Sequence, residues 1–73
     1  MIEIFSKENC AQCEKAKMLC QMKSLAYEEK DIYQALDDIA ERSGQVPRTA
    51  PQIFVDGRYV GGYDEFAAYL KNQ

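Results

Sequence analysis

Met1-Ile2-Glu3-Ile4-Phe5-Ser6-Lys7-Glu8-Asn9-Cys10-Ala11-Gln12-Cys13-Glu14 opens the chain, and its reading decides the fold. Met1 to Phe5 is short, rich in β-forming residues and apolar at Ile2, Ile4 and Phe5, which predicts a strand. Ser6 to Asn9 is a polar connector, with Asn9 as the helix cap. Glu14 to Leu25 then reads as helix, because Cys13, Ala16, Leu19, Cys20 and Lys23 recur at helical spacing. Met18 and Met22 are expected to widen its apolar side, and Ser24 is a weak stop. A Cys-x-x-Cys pair where a strand gives way to a helix is a redox signature. Its first thiol sits over the unpaired N–H groups of a helix start, which favour the thiolate. Its second lies one turn further in, within reach of a disulfide.

Composition narrows what that pair can do. Seventy-three residues make one domain, and a chain this short buries only ~60% of its unfolded surface. A hydrophobic content of 47% with clear periodicity argues for a folded globule. The net charge of −3, with scattered basic residues, provides no face for nucleic acid and no polybasic membrane anchor. No run approaches the ~18 apolar residues of a spanning helix, and no secretory leader is visible, so a cytoplasmic protein is expected. Three cysteines, an odd count, fit poorly with a secreted disulfide scaffold. With no histidine, a four-ligand zinc site lacks donors and Cys–His catalysis is excluded. Thiol–disulfide chemistry is the main reading left for Cys10 and Cys13.

The remainder alternates in the same way. Ala26 to Ile32 predicts a second strand, and Ala35 to Ser43 a helix with Ala35, Leu36, Ile39 and Ala40 on its apolar face and Gly44 as its stop. Gln45 to Arg48 is loop. Thr49-Ala50-Pro51 leads into a third strand, Gln52 to Val55, and Asp56-Gly57 is a two-residue hairpin turn into Arg58 to Gly61. Gly62-Tyr63-Asp64-Glu65 opens a last helix whose apolar face is Phe66, Ala67, Tyr69 and Leu70. The aromatic residues Tyr33, Phe54, Tyr59 and Tyr69 read as core and sheet-face residues, and Cys20 as a small core hydrophobe with a regulatory thiol as the alternative. The order β-α-β-α-β-β-α implies an α/β fold, a small mixed sheet covered by helices, with the cysteine pair at the end of a strand.

Taken with Thr49-Ala50-Pro51 and Gly61-Gly62-Tyr63-Asp64, the Cys-x-x-Cys pair resembles that of a glutaredoxin of the thioredoxin-fold superfamily, the small dithiol type of bacteria and their phages. The resemblance covers nearly the whole chain and is close in Arg42-Ser43-Gly44 and from Thr49 to Asp64. It implies a single glutaredoxin domain over residues 1–73, with a thioredoxin-like mixed four-stranded sheet flanked by three helices. It further implies Cys10 as nucleophile, Cys13 as resolving thiol and Lys7 as the cation that stabilises the thiolate. Glutathione would be the co-substrate, in a groove built from Gln12, Arg42, Thr49, Ala50, Pro51, Gly62, Tyr63 and Asp64. Pro51 would be cis, Ala50 would offer its backbone to an extended substrate, and Asp64 would take the γ-glutamyl ammonium.

Plainer readings stand beside several of these: a solvated side chain for Lys7, Gln12 or Arg42, strand entry for Thr49, helix capping for Asp64. The implied activity is reduction of glutathione mixed disulfides and protein disulfides by a monomer, with no metal, nucleic acid or membrane. Where glutaredoxins typically carry Pro-Tyr between the cysteines, Ala11 and Gln12 stand here. A Gln before the second cysteine is similar to redoxins that supply ribonucleotide reductase and are recharged by thioredoxin reductase, which makes that the alternative function. A third reading is a carrier of a [2Fe–2S] cluster ligated through glutathione.

Overall fold

The computed structural model describes residues 1–72. Strands β1 (Ile2–Ser6), β2 (Tyr27–Asp31), β3 (Gln52–Val55) and β4 (Arg58–Gly61) alternate with helices α1 (Ala11–Met22), α2 (Leu36–Ser43) and α3 (Tyr63–Lys71) in the expected order. A single 3-10 turn, Ile32–Gln34, joins β2 to α2. The sheet order is β2-β1-β3-β4. β1 and β2 are parallel, bridged by the α1 crossover, whereas β3 lies antiparallel to both β1 and β4. Asp56 and Gly57 turn the hairpin with φ values of 51° and 82°, the left-handed pair that matches strand twist in a two-residue loop. The β3–β4 register slips between Ile53 and Phe54, which face Gly61 and Tyr59, so β4 carries a bulge where it approaches α3.

Alternation along the strands splits the core in two. Ile2, Ile4 and Ile53 face α1 and α3 and pack with Ala16, Cys20 and Phe66. Phe5 and Phe54 face the other way, toward Ile32 and Ile39, their rings meeting edge-on at 5.7 Å. β2 is an edge strand, and its run of Glu28, Glu29, Lys30 and Asp31 suits an edge that must not recruit another strand.

Several expectations are corrected here. α1 starts at Ala11, three residues before the predicted Glu14, because Cys10 rather than Asn9 is the cap. Asn9 instead takes a left-handed turn at φ 55°. Met18 and Met22 are 58% and 75% exposed. At about 100° per residue they fall on the helix face opposite Cys13, Ala16 and Cys20. Lys23 lies just beyond the last helical turn as its cap, and Leu25 lies outside the helix. Ser24 takes φ 56°. The Leu25 N–H donates to the Cys20 carbonyl at 2.8 Å and the Ser24 N–H to that of Gln21 at 3.2 Å. That is a Schellman closure with serine where glycine is usual. Leu36 and Tyr69, expected on apolar helix faces, are 39% and 37% exposed, and Tyr33 is an exposed residue rather than a core one. Gly44 ends α2 at φ 84°, as expected.

One ion cluster ties α2 to the sheet. Glu3, on the α2 side of β1, accepts from Arg42 at 2.6 and 3.1 Å and from Lys30 at 2.9 Å. The guanidinium also stacks 4.1 Å from the Phe54 ring centroid. The Arg42 hydrogen bonds, more than the opposing burial, bring the Glu3 carboxyl from 4.5 down to about 2. A carboxyl whose pKa is lowered by folding stabilises the fold above its unfolded value, and the contribution is lost as pH falls through the folded value. Glu3→Gln is therefore expected to lower the unfolding free energy at pH 7 by on the order of 2–3 kcal/mol. Urea titrations should show that deficit shrinking as the pH is lowered from about 5 to 2; a deficit independent of pH would contradict the assignment.

Candidate active site

The site assembles where β1, the Thr49–Pro51 segment and the starts of α1 and α3 converge. Cys10 is the N-cap of α1, and its Sγ accepts the Cys13 N–H at 3.1 Å. That N–H is one of the donors a helix start leaves unpaired, so the sulfur occupies the position where negative charge is favoured. Cys10 and Cys13 are joined as a disulfide, with Cα atoms 5.3 Å apart. Cys13 is fully buried and Cys10 half-buried, which makes Cys10 the sulfur a substrate can reach. Cys20, sealed in the core, has its thiol pKa raised by burial, as fits an inert packing residue.

The Ala50–Pro51 peptide is cis, and the Ala50 carbonyl oxygen lies 3.7 Å from Cys10 Sγ. α3 closes on the same segment: a methyl group added to Gly62 would sit 3.6 Å from the Pro51 carbonyl oxygen. At that helix start the Gly62 N–H donates to Glu65 Oε1 at 2.9 Å. Glu65 thus does the capping, and Asp64, exposed beside it, has no hydrogen-bond or ion-pair partner among the described residues. Tyr63 is half-buried, its ring 5.9 Å from Lys15 Nζ. Gln12 is exposed on the first turn of α1.

Lys7 is exposed and forms no salt bridge among the described residues. It borders a groove shared with Tyr33, Arg48, Thr49 and Ala50. Arg42 stands apart from this group, its guanidinium engaged by Glu3, Asp38 and the Phe54 ring. Sequence reading missed Arg48 and Tyr33 at the groove. Arg48 had a signal, since it immediately precedes Thr49-Ala50-Pro51. Tyr33 had none, because an aromatic beside an apolar Ile32 reads as core. No helix is long and apolar enough to cross a membrane, and no group of three or more metal-ligating side chains gathers among the described residues.

A disulfide at the N-cap of the first helix, opposed by a cis X–Pro bond, on a mixed sheet of this order, defines a thioredoxin-like thiol–disulfide oxidoreductase. The family model for glutaredoxin matches residues 2–60, and the chain belongs to the glutaredoxin family. It is 37% identical to Glutaredoxin 1 of Escherichia coli K12, over 93% of this chain and 89% of that protein. The structure of reduced Escherichia coli glutaredoxin superimposes with a TM-score of 0.83 at 32% identity, covering 99% of this chain and 94% of that one. A buckwheat glutaredoxin–glutathione complex aligns with a TM-score of 0.80 at 25% identity, over 97% of this chain and 68% of that one.

The junction of β4 and α3 offers a direct test of how tightly the site is built. Gly61 has φ 129°, and an added Cβ would meet Glu65 Cβ at 2.9 Å. Gly61→Ala is expected to cost more than about 1 kcal/mol in urea unfolding, because both the backbone conformation and the close approach exclude a methyl group. Unchanged stability would show that β4 and α3 can part freely.

Proposed function

We propose that residues 1–73 act as one monomeric, cytoplasmic glutaredoxin domain that reduces glutathione mixed disulfides and protein disulfides at the expense of glutathione. The observation that carries this reading is the placement of Cys10 Sγ 3.7 Å from the Ala50 carbonyl oxygen, with the α3 start packed behind Pro51. A cysteinyl backbone laid along Ala50 would bring its sulfur to Cys10, as an added strand does. The γ-glutamyl end would reach Gly62, Tyr63 and Asp64, where glycine admits close approach and Asp64 has a carboxylate free to take an ammonium. Thr49 and Pro51 would form the facing wall, with Lys7 in the adjoining groove and Gln12 exposed on the first turn of α1. Binding of glutathione by the buckwheat relative in its complex supports the assignment.

In the reduced protein, the Cys10 thiolate attacks one sulfur of the substrate disulfide, forming a mixed disulfide and releasing the other half as thiolate. With a glutathionylated protein, the protein thiol leaves and a second glutathione then displaces the first from Cys10, releasing glutathione disulfide. With a protein disulfide, Cys13 attacks Cys10, expels the reduced protein and leaves the Cys10–Cys13 disulfide, which two glutathiones reopen. The first cycle exchanges one glutathione thiol for one protein thiol and leaves one disulfide as glutathione disulfide; the second moves two electrons from two glutathione thiols to one protein disulfide.

Ala11 and Gln12, both exposed between the cysteines, favour a second reading. In it the same disulfide is reduced by thioredoxin reductase, and the dithiol supplies ribonucleotide reductase. A turnover assay with a small glutathione mixed disulfide separates the two, run once with glutathione, glutathione reductase and NADPH, and once with thioredoxin reductase and NADPH. Turnover is expected in the first system; turnover confined to the second would assign the alternative reductant. Cys10→Ser should abolish activity, whereas Cys13→Ser should retain deglutathionylation and lose protein-disulfide reduction.

A further inference from the structure

Gln52 opens β3 and is polar, yet it is only 5% exposed. Both ends of its amide are used. Nε2 donates to the Thr49 carbonyl oxygen at 2.9 Å and lies 3.4 Å from Thr49 Oγ1. Oε1 accepts the Tyr59 hydroxyl at 2.7 Å. The Tyr59 ring is itself held against Phe54, with centroids 5.3 Å apart. β4 thus fixes Gln52, and Gln52 reaches back three residues to fix Thr49.

The consequence lies in the next peptide plane. The Thr49–Ala50 bond is trans, since Ala50–Pro51 is the one cis bond among the described residues. In a trans peptide the C=O and N–H point in opposite directions. Turning the Thr49 carbonyl inward onto Gln52 therefore turns the Ala50 N–H outward. That N–H has no acceptor among the described residues, and Ala50 is half-buried at the protein surface. Its own carbonyl oxygen lies beside Cys10 Sγ, and Pro51 has no N–H to offer. Ala50 thus carries an unengaged backbone N–H on the residue whose carbonyl lies beside the reactive sulfur.

We infer that Gln52, braced by Tyr59, is a positioning residue that aims the Ala50 N–H at the backbone of the incoming cysteine. This rests on the reading above in which substrate adds along Ala50. Without the Gln52 amide, the 49–50 peptide plane is free to rotate, and a substrate must freeze it on binding.

The test compares two disulfides against pre-reduced protein, without glutathione. One is a symmetrical disulfide of a blocked cysteinyl tripeptide; the other is dithiodiethanol, which has no peptide backbone. Each second-order rate is divided by the rate of the same disulfide with dithiothreitol, and the peptide-to-dithiodiethanol ratio is the readout. The unsubstituted protein should favour the peptide. Gln52→Leu should lower the ratio about three- to tenfold, the worth of one aligned hydrogen bond, and Tyr59→Phe should lower it in the same direction by less. A merely structural role would slow both disulfides alike and leave the ratio unchanged. An unchanged ratio in both variants overturns the inference while leaving the strand-addition reading intact. No peptide preference in the unsubstituted protein overturns both.

Discussion

The Cys13 N–H on the Cys10 sulfur is the contact on which the rest of the molecule depends. It makes one atom both the cap of α1 and the reactive centre, so the helix cannot start in register without presenting the sulfur to the Thr49–Pro51 segment. Capping by a side-chain oxygen would satisfy the same donor. Capping by sulfur does so while placing a nucleophile in the field of the helix start. The buried stripe of Cys13, Ala16 and Cys20 then presses that helix onto Ile2, Ile4 and Ile53. Packing energy on one face of the sheet therefore holds the redox pair in place.

On the opposite face, charge does comparable work. Glu3 lies in the middle strand pairing of the sheet, where an unpaired carboxylate would be costly to bury. Arg42 and Lys30 compensate it from α2 and β2, and Phe54 receives the guanidinium face. The same Phe54 supports Tyr59, and Tyr59 supports Gln52. Arg42 thus belongs to a run of contacts that ends near the site although the side chain does not itself border the groove. Lys17 plays a similar part on the α1 face of the same edge: it bridges Glu14 of α1 and Glu29 of β2, and their hydrogen bonds raise its pKa to about 12.

What could be read from the sequence follows from how local each determinant is. Asp56-Gly57 and Gly44 state their turn and stop in one or two residues, because positive φ is a local demand. The order of elements along the chain follows from local periodicity, and the Cys-x-x-Cys position from a strand meeting a helix at that point. Asn9 failed as a cap because a cysteine one residue later could serve, and residue statistics for caps do not favour sulfur. Met18 and Met22 failed because apolarity does not decide burial once the inward stripe is filled by small residues. The pairing of Arg42 and the exposure of Tyr33 were not legible for one reason: which charge Arg42 meets and what covers Tyr33 depend on residues distant in sequence. Gln52 was illegible for the same reason, since its importance arises only when β4 brings Tyr59 alongside.

Cys20, described above as core, also shapes the electron bookkeeping of the whole chain. It lies seven residues beyond Cys13 along a continuous helix, a rise of about 10 Å. A disulfide tolerates Cα atoms no more than about 7 Å apart, so an intact α1 acts as a ruler that keeps the third sulfur from pairing with the second. Its depth in the core denies it to small oxidants as well. Within the folded chain the cysteines therefore have one possible pairing rather than a family of isomers, and an error in pairing requires the first helix to unwind.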